Sequence, residues 1–90
     1  GLDINLAGCA NLMSLPPGMR VKGSLHLNGC RTLTALPEGL KVNGHLFLDG
    51  CSGLTRMPSD IEVGGNLYLR RCPGLGPLPT GYMGGGRVFS

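Results

Sequence analysis

Ninety residues fit one domain, and a net charge of +3 with no Lys/Arg cluster beyond Arg70-Arg71 argues against a nucleic-acid interface. The apolar fraction is an ordinary 41%, but it includes two Phe, two Tyr and no Trp, which excludes a core built around a few large aromatics. Seventeen Gly and seven Pro exclude long helices, and no apolar run is long enough to span a membrane.

In chain order, the first strand-like segment is Ile4-x-Leu6. Gly8 and Cys9 follow, then Leu12, the Leu15-Pro16 step, Gly18, Met19, Val21 and Gly23. The same order returns without insertion as Leu25, Leu27, Gly29, Cys30, Leu33, Leu36-Pro37, Gly39, Leu40, Val42 and Gly44. A third pass runs Leu46, Leu48, Gly50, Cys51, Leu54, Met57-Pro58, Asp60, Ile61, Val63 and Gly65. A fourth runs Leu67, Leu69, Arg71, Cys72, Leu75, Leu78-Pro79, Gly81, Tyr82, Gly84 and Gly86. The chain, residues 1–90, is thus read as one repeat domain with units at 4–24, 25–45, 46–66 and 67–87 and a truncated fifth at 88–90. A chain that starts at Gly1 reads as a piece cut from a longer protein.

The unit is L-x-L-x-G-C-x-x-L-x-x-L-P-x-G-L-x-V-x-G-x, 21 residues. Cysteines at one fixed interval suggest a metal framework, a disulfide framework or a repeat column. Zinc favours closely spaced pairs such as C-x-x-C, which are absent here. We therefore expect a ladder of buried, reduced thiols packing as small hydrophobes.

A 21-residue period is too short for a helical hairpin and suits one turn of a solenoid. L-x-L and L-x-V are period-2 fragments and read as two short strands per coil, with alternate residues inward. The glycine before each cysteine, and the corner glycines Gly23, Gly44 and Gly65, are expected to turn the chain through positive φ. The Leu-Pro step favours extended backbone before it. Equivalent strands of successive coils then pair in parallel, giving an all-β fold: a short right-handed parallel β-solenoid of four coils.

Residues that the coil does not need point outward. On the first strand the central column is Asn5, His26, Phe47, Tyr68 and Phe89, flanked by Asp3, Ser24, His45, Asn66 and Arg87 on one side and Ala7, Asn28, Asp49 and Arg70 on the other. These columns vary between units, as a surface for an irregular partner would. The candidate partner-binding residues are Asn5, His26, His45, Phe47, Asp49, Tyr68 and Arg70. Phe47 and Tyr68 are the prospective anchors, since aromatics bury much area at small entropic cost. The alternative is that they merely stack along the sheet. Arg20, Lys41, Glu62 and Met83 on the second strand read as a solvated face. His26, His45 and Asp49 are spread over a flat face, and the thiols point the other way. We expect no metal site, no cofactor and no catalytic residue, and so not an enzyme. Arg87, Val88 and Phe89 have strand character and are expected to act as a self-association edge, producing an end-to-end homo-oligomer.

Leu25-x-Leu27-x-x-Cys30-x-x-Leu33 resembles the core of cysteine-containing leucine-rich repeats, and Leu36-Pro37-x-Gly39-Leu40 is similar to the L-P-x-G-L step in repeats of bacterial type III secreted effectors, including those that carry a novel-E3-ligase domain. The resemblance covers nearly the whole chain. It departs where Val-x-Gly-x intervenes before the next L-x-L, which supports a second strand per coil. The resemblance implies a protein-recognition module of a larger bacterial protein, secreted into a host cell, with its thiols reduced and any catalytic cysteine in another domain. The expected partner is a protein, not a nucleic acid or a membrane. The alternative is a structural spacer whose neighbouring domain carries the activity.

Overall fold

The computed structural model of the protein describes residues 3–75 and 82–89. The template positions Leu78, Pro79 and Gly81, and Ser90 of the truncated unit, lie outside the described residues. Among those described there is no helix, and the chain is an all-β solenoid of about four turns. Strands β1 (Ile4–Asn5), β3 (Leu25–His26), β5 (Leu46–Phe47), β7 (Leu67–Tyr68) and β9 (Val88–Phe89) form one sheet in that order. Strands β2 (Arg20–Val21), β4 (Lys41–Val42), β6 (Glu62–Val63) and β8 (Met83–Gly84) form the other. Every pairing is parallel and joins each residue to the one a full repeat further on, as in Leu25 with Leu46 and Val42 with Val63.

Each strand is two residues long, yet the ladder continues past it. The Leu27 N–H donates to the Phe47 carbonyl and the Gly29 N–H to the Asp49 carbonyl, both at 2.8 Å. On the other sheet the Asn43 N–H donates to the Val21 carbonyl at 2.9 Å. The spacing of Leu27, Cys30 and Leu33 follows from two consecutive turns: Cys30 N–H to Leu27 carbonyl and Leu33 N–H to Cys30 carbonyl, both 3.2 Å. Residues three apart in such turns share a face, so all three side chains point inward. The Leu33 segment turns again and meets its neighbour through an isolated parallel bridge, Ala35 with Arg56.

The second coil has a coil on each side and shows what the inward columns do. Leu25, Leu27, Cys30, Leu33 and Leu40 have no exposed surface, and Leu36 and Val42 retain 6% and 2%. In the first coil Ile4, Leu6, Cys9, Leu12, Leu15 and Met19 are only partly buried. The difference is the layer of a neighbouring coil, since the residue types match except for Ile4 in place of Leu25 and Met19 in place of Leu40.

The cysteines do more than fill space. Cys30 Sγ donates to the Leu6 carbonyl at 3.1 Å, Cys51 Sγ to Leu27 at 2.9 Å and Cys72 Sγ to Leu48 at 3.1 Å. Each of those carbonyls also accepts an N–H from its own coil. A thiol is small enough for the interior and still carries a donor that reaches the coil below. All four cysteines are free. Burial pushes the Cys51 thiol from an ordinary value near 9 up to about 11, and burial likewise raises Cys72.

The glycines divide into two classes, and one differs from expectation. Gly8, Gly29 and Gly50, before the cysteines, have φ of 74°, 74° and 80° as expected. Arg71 takes their place in the fourth coil and still adopts φ 60°, so the stack imposes the left-handed turn on a residue that disfavours it. The corner glycines Gly44 and Gly65 do not have positive φ. Their requirement is closeness: a Cβ on Gly44 would lie 2.6 Å from Ser24 Oγ and 2.9 Å from the Gly23 carbonyl oxygen. A Cβ on Gly65 would lie 2.5 Å from His45 Nδ1 and 2.9 Å from the Gly44 carbonyl oxygen. Coils touch backbone to backbone there, with a side chain folded across the contact.

Two outcomes follow. Gly44→Ala and Gly65→Ala are each expected to cost about 1–3 kcal/mol in urea unfolding through overpacking. Gly8→Ala, with open space around it, is expected to cost about 1 kcal/mol through its φ alone. A neutral Gly65→Ala would contradict the close-approach account. The second outcome concerns alkali. The native state holds Cys51 protonated above the value of the unfolded thiol, so this contribution is intact below about pH 9 and is lost as pH rises through about 11. Unfolding midpoints measured across that window should decline in the native protein and decline less in Cys51→Ala.

Candidate recognition face

The outer face of the five-stranded sheet collects the sequence-predicted residues. Because β1, β3, β5, β7 and β9 are in register, their second residues form one column: Asn5, His26, Phe47, Tyr68 and Phe89. Four of these are rings, and they stack. His26 and Phe47 are 4.5 Å apart between ring centres and 6° from parallel. Phe47 and Tyr68 are separated by 4.7 Å and 4°, and Tyr68 and Phe89 by 4.9 Å and 8°. These distances match the spacing of neighbouring strands, so the backbone ladder sets them. All four rings are half-buried. Phe89, which the sequence reading gave to an association edge together with Arg87 and Val88, also ends this stack. Val88 is exposed and pairs with Leu67.

Asn5 heads the column without joining the rings; its Oδ1 accepts the Ala7 N–H at 3.0 Å. Arg70 places its guanidinium 5.8 Å from the centre of the Phe89 ring, within cation–π range. Asp49 Oδ1 accepts the Arg70 backbone N–H at 2.8 Å. In the same column Asn28 Oδ1 is buried without a hydrogen-bond partner. His26, His45 and Asp49 therefore each face a different neighbour. Among the described residues no three His, Cys, Asp or Glu side chains converge.

The other flanking column holds a feature that the sequence reading missed. Asp3 Oδ1 accepts the Ser24 N–H at 2.7 Å, and Ser24 Oγ accepts the His45 N–H at 3.0 Å. His45 Nδ1 then accepts the Asn66 N–H at 2.8 Å, and Asn66 Oδ1 accepts the Arg87 N–H at 2.9 Å. Each side chain folds over the corner glycine of the next coil to reach the N–H beyond it. That is why the corner must be glycine and the next residue must be an acceptor. The first four members, Asp3, Ser24, His45 and Asn66, vary in identity but each presents an acceptor, and that constancy was the available signal.

His45 also touches the ring column. Its imidazole lies edge-on to Phe47 at 6.0 Å and to Tyr68 at 6.4 Å. Asn66 Nδ2 donates to the Tyr68 hydroxyl at 3.1 Å, leaving the hydroxyl proton free to point outward. The face thus combines a central apolar ribbon with polar edges whose donors and acceptors are already oriented. Compared with known proteins, the chain matches no family model, no curated protein and no solved structure.

Proposed function

We propose that this array is a protein-recognition module, part of a larger bacterial protein of the secreted-effector kind, and that its contact surface is the ring column with its polar borders. The observation that carries the reading is the unbroken stack His26–Phe47–Tyr68–Phe89 on the outward side of the sheet. None of these rings belongs to the buried core, whose columns are filled by leucine, isoleucine, valine and cysteine. An apolar strip with a polar rim is the usual anatomy of a protein–protein contact. Residues 26, 47 and 68 would supply the apolar anchors, and His45, Asp49 and Arg70 the rim. The resemblance to effector repeats supports the same reading. This chain's own residues supply contact and orientation and no chemistry.

A second reading has its own support: the ring faces are occupied by one another, so the stack also serves as a stiffener of a structural spacer. Phe47→Ser combined with Tyr68→Ser, placed in the parent protein, separates the two. Recognition predicts at least a tenfold loss of partner affinity with an unchanged circular dichroism spectrum. A spacer predicts unchanged affinity and unchanged parent activity, with only a lower unfolding midpoint.

A further inference from the structure

His45 occupies the middle of the acceptor column, and it is the rung that a proton can break. Ser24 and Asn66 do not titrate in water, and a carboxyl such as Asp3 keeps acceptor capacity after protonation. Imidazole differs. Its Nδ1 takes the Asn66 N–H at 2.8 Å, so that nitrogen carries a lone pair and the ring proton sits on Nε2. An imidazolium has N–H at both nitrogens and would set one against the Asn66 N–H. The ring cannot shift toward the corner, because even a Cβ on Gly65 would be 2.5 Å from Nδ1.

We propose that His45 is an acid-sensitive rung: protonation of Nδ1 expels the Asn66 N–H and loosens the corner that joins the third coil to the fourth. His45 is exposed to water, and among the described residues no neighbouring side chain supplies a counter-charge for the cation. From the coil below, the Ser24 hydroxyl is committed to the His45 backbone N–H, and His26 stacks under Phe47. From the coil above come Asn66 and the ring of Tyr68. On its own coil lie Phe47 and, at the far end of the strand, Asp49, which holds the Arg70 N–H. Asp3 and Arg87, the charged members of its column, are two rungs away on either side. Among the described residues no carboxylate is within ion-pair distance of His45; the ion pair present, Lys41 with Glu62, belongs to the other sheet. The rung as built uses the neutral ring, and a proton added at Nδ1 removes the acceptor it needs. The rung does not depend on whether the face binds a partner.

Amide hydrogen exchange on the intact chain at about pH 7.5 and about pH 5, corrected for intrinsic rates, tests this within one molecule. The Asn66 amide rests on His45, whereas the Arg87 amide rests on Asn66 Oδ1 and the His45 amide on Ser24 Oγ. Asn66 should lose about tenfold in protection on acidification, and the other two should change little. His45→Asn, which keeps an acceptor at the position, should hold Asn66 protection constant, and His26→Asn should leave the acid response intact. Unchanged Asn66 protection, an equal loss at all three amides, or the same loss in His45→Asn would overturn the proposal. Should His45→Asn fail to fold, the comparison among the three native amides decides.

Discussion

The parallel backbone pairing of each coil with the coil 21 residues away is the interaction on which this structure rests. Strands of two residues have no stability alone, and a single coil cannot enclose its own leucines. Pairing resolves both problems: it satisfies the backbone and lays leucine on leucine, so that the inward leucines of the inner coils have almost no exposure. Register is strict because slipping by one residue would turn Leu46 outward and Phe47 inward. The invariant period, the thiol reaching the carbonyl of the coil below and the glycine corners all serve this one contact.

The surface inherits its geometry from the same ladder. Ring spacings of 4.5–4.9 Å on the outer face are strand spacings, set by backbone hydrogen bonds. Residue identity in that column is therefore free while its periodicity is not. The neighbouring column has less freedom. Asp3, Ser24, His45 and Asn66 each hold the next coil; on the opposite border Asp49 does the same for Arg70, whose own side chain is exposed.

Much of this was legible in the residues. Leu25, Leu27, Cys30, Leu33, Leu36, Leu40 and Val42 recur with such regularity that inward columns, parallel pairing and two strands per coil could be read without coordinates. The positive φ of Gly29 and Gly50 was legible for the same reason, as a property of one residue in one turn. The role of Gly44 and Gly65 was not, because it is a property of two coils: the glycine makes room for a side chain, Ser24 or His45, that departs from the preceding coil corner. Single-residue reasoning offers positive φ as the reason for a corner glycine, and it has no access to a contact across the stack. Ser24, His45 and Asn66 looked like free surface because their shapes differ, although each presents an acceptor at the same place. The ring stack was foreseen as one of two options for Phe47 and Tyr68. Its extension to His26 and Phe89 depends on ring orientation, which the pattern does not specify.

The in-register parallel ladder is most directly tested by scalar couplings across hydrogen bonds in isotopically labelled protein. The account predicts couplings from the Leu27 amide nitrogen to the Phe47 carbonyl carbon and from the Leu48 amide nitrogen to the Tyr68 carbonyl carbon. Couplings from the Leu27 or Leu48 amide nitrogen to the carbonyl carbon of any other residue, or an antiparallel pattern between these segments, would contradict it.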